Sequence, residues 1–260
     1  MLKLYNENCL EGHKRIENKS ISLIYTDLPF NQTKNKWDSL IDIDLLWKDY
    51  KRIIKDNGAI VLNGQGMFTA MMMISNKNMW RYNLIWKKGE RTTGFLNAKR
   101  MPLRNHEDIM VFYKKLPTYN PQMILGKKAH GRGTKGKLLN NNYGKYNFIN
   151  GETKNGNLKY PKSILEFEYN PDELDLIYSE YSILNYDRPH PPIHPTQKPI
   201  ALSEWIIKTF SNENDIVLDS TFGSGTTPIA CINTNRSFIG FETNENYFKL
   251  TKERIKKLQL

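Results

Sequence analysis

Asp215-Ile216-Val217-Leu218-Asp219-Ser220-Thr221-Phe222-Gly223-Ser224-Gly225-Thr226 decides the fold. Its first five residues are a short apolar run closed by an acid, the pattern of a buried strand. Ser220 to Gly225 is a glycine-containing loop, Thr226 to Asn235 reads as a helix, and Ser237-Phe238-Ile239-Gly240-Phe241-Glu242 reads as the next strand. Strand, loop, helix and strand in that order predict a parallel pair joined by a crossover helix. The glycines let backbone approach a ligand closely, and an acid at the end of the second strand can accept from ribose hydroxyls. This is the logic of a site for an adenosine-bearing cofactor. A dinucleotide wants a third glycine, in the order G-x-G-x-x-G, for its pyrophosphate. Pro228 holds that place here. S-adenosylmethionine carries no pyrophosphate and tolerates the shorter loop.

The alternation continues on both sides. Ile21-Ser22-Leu23-Ile24-Tyr25 suits a buried strand. Ile41 to Lys55 has helical apolar spacing, with Asp56-Asn57-Gly58 as its stop, and Ala59-Ile60-Val61-Leu62 is again strand-like. Met67 to Ile74 reads as a helix whose Met71-Met72-Met73 run is packing material. Tyr82–Trp86 and Ile109–Tyr113 read as strands, Pro199 to Phe210 as a helix with proline at its start, and a closing helix runs to about Lys257. The prediction is an α/β fold with a mostly parallel sheet and helices on both faces.

Length and composition set the bounds. A chain of 260 residues suits one large domain, or a domain with an insertion, and 39% hydrophobic residues supply its core. A net charge of +11 points to an anionic partner, with nucleic acid foremost. Cys9 and Cys231 form neither a disulfide framework nor a zinc pattern, so a reducing cytoplasm is expected. The N-terminus lacks the apolar segment of a signal peptide, and no run is long enough for a membrane helix. From Lys114 to Lys162 there are eleven Lys or Arg against one acid, Glu152, with tyrosines interleaved and poor periodicity. That stretch suits contact with phosphates and bases, although a lysine-solubilised linker has the same composition. His190 and His194 make a poor metal pair, because prolines between them exclude a helix and no third ligand is evident.

Two short motifs complete the picture. Thr26-Asp27-Leu28-Pro29-Phe30 sets a carboxylate, a proline turn and an aromatic ring at a strand end, where open α/β sheets bind ligands. His194-Pro195-Thr196-Gln197-Lys198-Pro199 offers a hydroxyl and an ammonium, Thr196 and Lys198, at a helix start, a setting for a carboxylate such as the cofactor's methionine end.

Taken in order, Tyr25–Phe30, His194–Pro199, Asp219–Thr227 and Phe238–Glu242, together with Ile85-Trp86-Lys87-Lys88 and Asn105-His106-Glu107-Asp108-Ile109, resemble the DNA amino-methyltransferases of the permuted, beta-type arrangement. The resemblance covers nearly the whole chain apart from the basic stretch. It departs at two points, having Asp-Leu-Pro-Phe for the family's usual Asp-Pro-Pro-Tyr, and Ser220 where the family often has proline.

What the resemblance implies is a Rossmann-like methyltransferase domain from residues 1–113 and 189–260, with a target-recognition insertion at 114–188. It implies methyl transfer from S-adenosylmethionine to the N6 amine of adenine in double-stranded DNA, with the base flipped out and without metal. Asp27 and the Leu28 carbonyl would accept the amine hydrogens, Pro29 would stiffen the turn and Phe30 would stack on the base. Phe222, Gly223, Ser224 and Gly225 would surround the methionine moiety, flanked by Thr221 and Thr226, with Asp219 near its ammonium. Glu242 would bind the ribose, Thr196 and Lys198 the carboxylate, and Asn8 and Cys9 would lie near the adenine. Asp27 would border both cofactor and base. A homodimer is also open. N4-cytosine methylation, RNA methylation and an inactive DNA-binding relative are the alternatives.

Overall fold

The computed structural model describes residues 1–30, 41–88, 92–127, 157–167 and 198–258. Along the chain run β1 (Leu2–Tyr5), α1 (Cys9–His13), β2 (Ile21–Thr26), α2 (Ile43–Ile53), β3 (Ile54–Gly64), α3 (Gly66–Ser75), β4 (Trp80–Lys87), β5 (His106–Phe112), β6 (Ile124–Leu125), β7 (Leu158–Lys159) and β8 (Ile164–Glu166). They are followed by α4 (Ile200–Phe210), β9 (Ile216–Asp219), α5 (Thr226–Asn233), β10 (Ser237–Phe241) and α6 (Glu245–Leu258).

Among the described residues, eight strands form one sheet in the order β1-β10-β9-β2-β3-β5-β4-β8. All pairings are parallel except those of β5, which runs against both β3 and β4. The strands alternate between two cores, as a period of two requires. Ile24, Ile60, Leu62, Leu218 and Phe241 join Leu46, Trp47, Tyr50 and Met72 of α2 and α3 on one face. Leu23, Tyr25, Val61, Val217 and Phe238 join Leu202, Ile206, Phe210 and Cys231 of α4 and α5 on the other. Burial on both faces is why these strands read as unbroken apolar runs rather than as alternating ones.

Compact contacts divide the chain into Met1–Asn120 with Ser163–Leu260, and a small unit Pro121–Lys162. The described part of the small unit includes β6 paired antiparallel with β7. Most of the stretch expected to be inserted, 114–188, lies outside the described residues; within it, β8 pairs with β4 as an edge strand of the main sheet.

One boundary differs from expectation. The helix ends at Ile53, and β3 begins at Ile54 without a loop, so Asp56-Asn57-Gly58 lies inside the strand. Ile21 pairs with Ile54 but Leu23 with Ala59, so Ser22 alone faces the four residues from Lys55 to Gly58 in a wide bulge. The bulge is tied down by Ser22, whose hydroxyl accepts from Lys55 Nζ at 2.7 Å and donates to Asp215 Oδ1 at 2.6 Å. The stop residues do punctuate the chain, but as a bulge within a strand.

Helix α1 is seated on β10 through Gly12, where an added Cβ would fall 2.0 Å from the Phe241 ring. Phe241 is fully buried and cannot swing away. Gly12→Ala is therefore expected to lower the unfolding free energy by about 1–3 kcal/mol, read from the midpoint of urea denaturation.

Candidate active site

The parallel strands β1, β10, β9, β2 and β3 end at Tyr5, Phe241, Asp219, Thr26 and Gly64, all on one edge of the sheet. After β2 the chain turns to β3, and after β9 it turns the opposite way to β10, so the connections part between β2 and β9. Such a switch point opens a crevice at the carboxyl ends of the strands. Here it joins the two motifs. Thr221 Oγ1 donates to the Asp27 carbonyl at 3.0 Å and lies 3.1 Å from Thr26 Oγ1.

Asp27 is the end of a line of alternating charges. Its Oδ2 accepts from Lys198 Nζ at 2.5 Å; Lys198 Nζ also lies 3.1 Å from Glu107 Oε2, and Lys88 Nζ lies 2.5 Å from Glu107 Oε1. Lys198, Glu107 and Lys88 are each about 95% shielded from water, whereas the Asp27 side chain keeps 27% of its surface. Both ammonium groups also stand over the buried Trp86 ring, at 6.0 and 5.4 Å. The environments of the two carboxylates push them apart. Burial raises the Asp27 carboxyl, with Lys198 opposing and Glu107 adding to the rise. Burial alone would raise Glu107 too, but Lys198 and Lys88 on either side outweigh it and hold that carboxyl below its usual value. Asp27 Oδ1 is buried and has no hydrogen-bond partner among the described residues, so it is an acceptor in waiting.

Beyond Asp27, Leu28 is buried, Pro29 is half-buried, and the half-buried Phe30 ring leans on Phe68 of α3 with centroids 4.6 Å apart. The ring is thus held at the rim of the same edge. Lys198, expected at the cofactor's carboxylate, is engaged by two carboxylates of the chain itself. Thr196, its expected companion, lies outside the described residues.

The glycine loop is built from below. Gly223 and Gly225 have φ of +52° and +91°, the left-handed region that glycine enters freely. A Cβ on Gly225 would meet Thr251 at 2.7 Å, whereas none of the described residues lies within 4 Å of one on Gly223, so among them the loop is closed beneath and open above. Thr251 Oγ1 donates to the Gly223 carbonyl at 3.0 Å, and the buried Arg254 guanidinium donates to the Ser224 carbonyl. Phe222 is buried against Phe238 and Phe248, and Gly225 caps α5, which starts at Thr226. Glu242 accepts from Gly223 N at 3.0 Å and Asn244 N at 2.7 Å, which fixes both of its oxygens beside the loop. Asn6 donates to the Glu242 carbonyl at 2.7 Å and ties the end of β1 to that site.

Under the loop lies a second buried polar group. Asp219 is 2% exposed and accepts from Thr221 N at 3.0 Å. Burial pushes its carboxyl up to about 6, against the hydrogen bonds of Thr227, Thr26 and Thr221. Ser220, where the resembled family often has proline, is joined to Tyr50 Oη at 2.7 Å and His13 Nε2 at 3.1 Å. Burial drives His13 down to about 4, with Asp49 opposing, so the ring is neutral at pH 7. Asn8 caps α1 by accepting from Leu10 N at 2.8 Å, and Cys9 is buried behind it with its thiol raised by burial to about 12.

The motif residues at the ends of β2, β9 and β10, with Lys198, therefore line one edge, and Asn8 and Cys9 follow β1 on that edge. Glu107, Lys88, Thr251, Arg254, His13 and Tyr50 complete the site without having been singled out as site residues. For Glu107 and Lys88 there was a signal, since both fall in stretches that already matched the family pattern. Among the described residues no group of three or more His, Cys, Asp or Glu could hold a metal; His190 and His194 lie outside them.

Comparison with known proteins agrees with this architecture. A family model for N6/N4 methyltransferases, described as DNA methylase, matches residues 21–253. Type II methyltransferase M.HpaI of Haemophilus parainfluenzae is 28% identical, over 97% of this chain and 74% of its own. Type II methyltransferase M1.MboII of Moraxella bovis is 29% identical, over 94% and 93%. DNA adenine methyltransferase YhdJ of Escherichia coli K12 is 27% identical, over 93% and 78%. Among solved structures, the cytosine-N4-specific PvuII DNA methyltransferase superposes with a TM-score of 0.70 at 17% identity, over 97% of this chain and 86% of its own. The complex of M1.HpyAVI with S-adenosylmethionine superposes at 0.59 and 23%, over 98% and 100%. At these identities the two structures establish the fold.

A carboxyl raised to about 6 makes folding less favourable as pH rises from its unfolded value near 4 towards 6, because the native state then binds more protons than the unfolded state. Asp219→Asn removes that term. Relative to the wild type, the variant is expected to gain stability over that window and hold the gain above it, by up to about 3 kcal/mol. Urea denaturation at pH 4, 5, 6 and 8 measures it; an unchanged difference across the series contradicts the buried charge.

Proposed function

The chain belongs to the N6/N4 DNA methylase family, and on that footing we propose that it moves a methyl group from S-adenosylmethionine to the exocyclic N6 amine of adenine in DNA, with the base swung out of the duplex. The observation that carries the reading is Asp27 at the switch point, with Oδ2 held by Lys198 and Oδ1 buried and unpartnered among the described residues. An acidic first residue in that motif leans towards adenine, and a relative named as a DNA adenine methyltransferase leans the same way.

The described residues suit the cofactor. The open upper side of Gly223 gives it a backbone surface to lie on, and Phe222, Ser224 and Gly225 continue that surface between Thr221 and Thr226. Glu242, its oxygens fixed by two backbone N–H groups, would accept from the ribose hydroxyls, with Asn8 and Cys9 nearby on the adenine side. Asp219, a carboxylate kept buried against its own desolvation, would face the ammonium of the methionine end. Thr196 would stand at the carboxylate end. When bound, S-adenosylmethionine supplies a methyl group on a sulfonium that leaves as a neutral thioether, chemistry that calls for no metal.

The chain's own part is orientation and electrostatics. Asp27 Oδ1 and the Leu28 carbonyl would accept the two amine hydrogens, which localises the nitrogen lone pair that the ring otherwise withdraws. Phe30 would stack on the base, its ring braced by Phe68, and Pro29 holds the turn between them. The raised Asp27 carboxyl is matched to taking the proton released at the nitrogen, directly or through water. The stretch 114–188 would carry target recognition, inserted in a catalytic domain made of 1–113 and 189–260. Two buried free cysteines suit work in a reducing cytoplasm; among the described residues no helix is long and apolar enough to cross a membrane.

Incubation with labelled cofactor and unmethylated DNA, followed by digestion to nucleosides, is expected to yield N6-methyladenine; N4-methylcytosine as the sole product would replace the reading. Asp27→Ala is expected to abolish transfer with cofactor affinity nearly unchanged. The charge line also fixes the signs of two pH shifts. Lys198→Met removes the charge that lowers Asp27, so the acid limb of the pH–rate profile should move to higher pH. Glu107→Gln removes one that raises it, so the limb should move to lower pH. Shifts of the same sign in both variants would show that Asp27 does not govern that limb.

A further inference from the structure

Between β4 and β5 the chain leaves the sheet and returns at the edge that carries Asp27, because β4 runs parallel to β3 and ends at Lys87. The described part of this excursion, 92–105, is a built loop. Thr93 and Arg104 exchange backbone hydrogen bonds of 2.8 and 3.2 Å across its neck. Gly94, with φ of +86°, turns the chain into a 3₁₀ turn at Phe95–Asn97, and Arg100 N and Met101 N both donate to the Asn97 carbonyl. The neck is fastened to the site edge by Arg104 to Gln65 Oε1 at 2.6 Å and by Lys88 N to the Asn105 carbonyl at 2.8 Å.

Its tip is the reverse of what a soluble loop should be. Phe95 is 76% exposed, Leu96 84%, Met101 54% and Leu103 39%, four large apolar side chains within nine residues. Lys99, Arg100 and Arg104 lie among them, and no acid occurs from Thr92 to Asn105. An apolar tip with a wholly basic surround fits a surface that is anionic outside and apolar between its layers. Stacked bases behind phosphates have that chemistry. A two-fold contact centred on this tip would instead bring Lys99 and Arg100 against their own images, a like-charge arrangement that disfavours it.

We propose that this loop is a duplex-DNA wedge: Phe95 and Leu96 enter the stack beside the departing base, while Lys99 and Arg100 hold the neighbouring phosphates. The proposal rests on the DNA-methylation reading and deepens it. A flipped base leaves a hole whose unstacked neighbours must be covered, and the loop is rooted two residues from Glu107, in the charge line that ends on Asp27. Base extrusion and amine activation are thereby carried on one edge of the sheet.

The test uses the full chain and a mixed-sequence unmethylated plasmid. The exposed pair variant Phe95→Ala/Leu96→Ala is expected to slow methyl transfer at saturating DNA about tenfold, with cofactor affinity and sedimentation coefficient unchanged. Lys99→Gln/Arg100→Gln is expected to weaken DNA binding and to reduce the slope of log affinity against log salt by about two. Wild-type transfer by the apolar variant, or an unchanged salt slope in the basic variant, overturns the wedge. A change in sedimentation with the apolar variant overturns it in favour of an interface between copies. The salt slope reads DNA contact without any chemistry. Failure of methyl transfer in the wild type, with that slope still responding, therefore removes the proposed reaction and leaves the DNA contact standing.

Discussion

The side-by-side pairing of β2 with β9 is the constraint from which the site follows. Ile24 lies against Leu218 and Leu23 against Val217, strands almost two hundred residues apart brought into parallel register. Each strand feeds a crossover in the opposite direction, the arrangement that opens a crevice at the strand ends. Thr26, Asp27, Asp219 and Thr221 stand there because a strand must end somewhere and these two end at the same height. The Thr221 hydroxyl then locks that height by bonding the Asp27 carbonyl. A slip of one residue would turn the side chains of β2 to the other face and carry Asp27 away from Thr221.

Given that edge, the electrostatics are set by how charges are paired away from water. Burial raises the Asp27 carboxyl and Lys198 beside it pulls the other way. Glu107 divides the attention of Lys198, and Lys88 in turn balances Glu107. The outcome is a neutral line of four charges in which the terminal carboxylate, desolvated and flanked by a single lysine, is the one left raised. Removing either inner member would leave a buried charge uncompensated, which is far more damaging than loss of a surface pair. The line therefore binds α4, β5 and the end of β4 to the motif after β2, and the same contacts that tune Asp27 hold the edge together.

Much of this was legible in the chain. Unbroken apolar runs and the glycine loop identified β2, β9, α5 and β10, because burial on both faces and positive φ each leave a local mark on residue choice. What was not legible depended on partners distant in sequence. Nothing in His106–Phe112 says that β5 runs antiparallel, since a fully buried strand has the same composition either way round. Asp56-Asn57-Gly58 reads as a helix stop by local chemistry, and only pairing with β2 makes it a bulge. Thr251 and Arg254 lie on one stripe of an ordinary amphipathic helix, and their bonds to the glycine loop arise from how α6 packs. Glu107 and Lys88 could be noticed as motif members, but their role depends on Lys198 arriving from more than ninety residues further on.

The replacement of proline by Ser220 shows how such a departure is accommodated. Proline after Asp219 would stiffen the loop entry by fixing φ. Serine gives up that stiffness and adds a hydroxyl that is only tolerable in the interior if bonded. Tyr50 and His13 supply those bonds, and they come from α2 and α1, the helices that close one face of the sheet. Burial keeps the His13 imidazole neutral, so the network adds no charge beneath Asp219, whose own carboxylate already sits against its desolvation. The rigidity lost from the backbone is thus restored by packing and hydrogen bonds from the opposite end of the chain. Asp219 is thus a buried carboxylate raised by desolvation, and a cation brought beside it would lower that carboxyl towards its ordinary value.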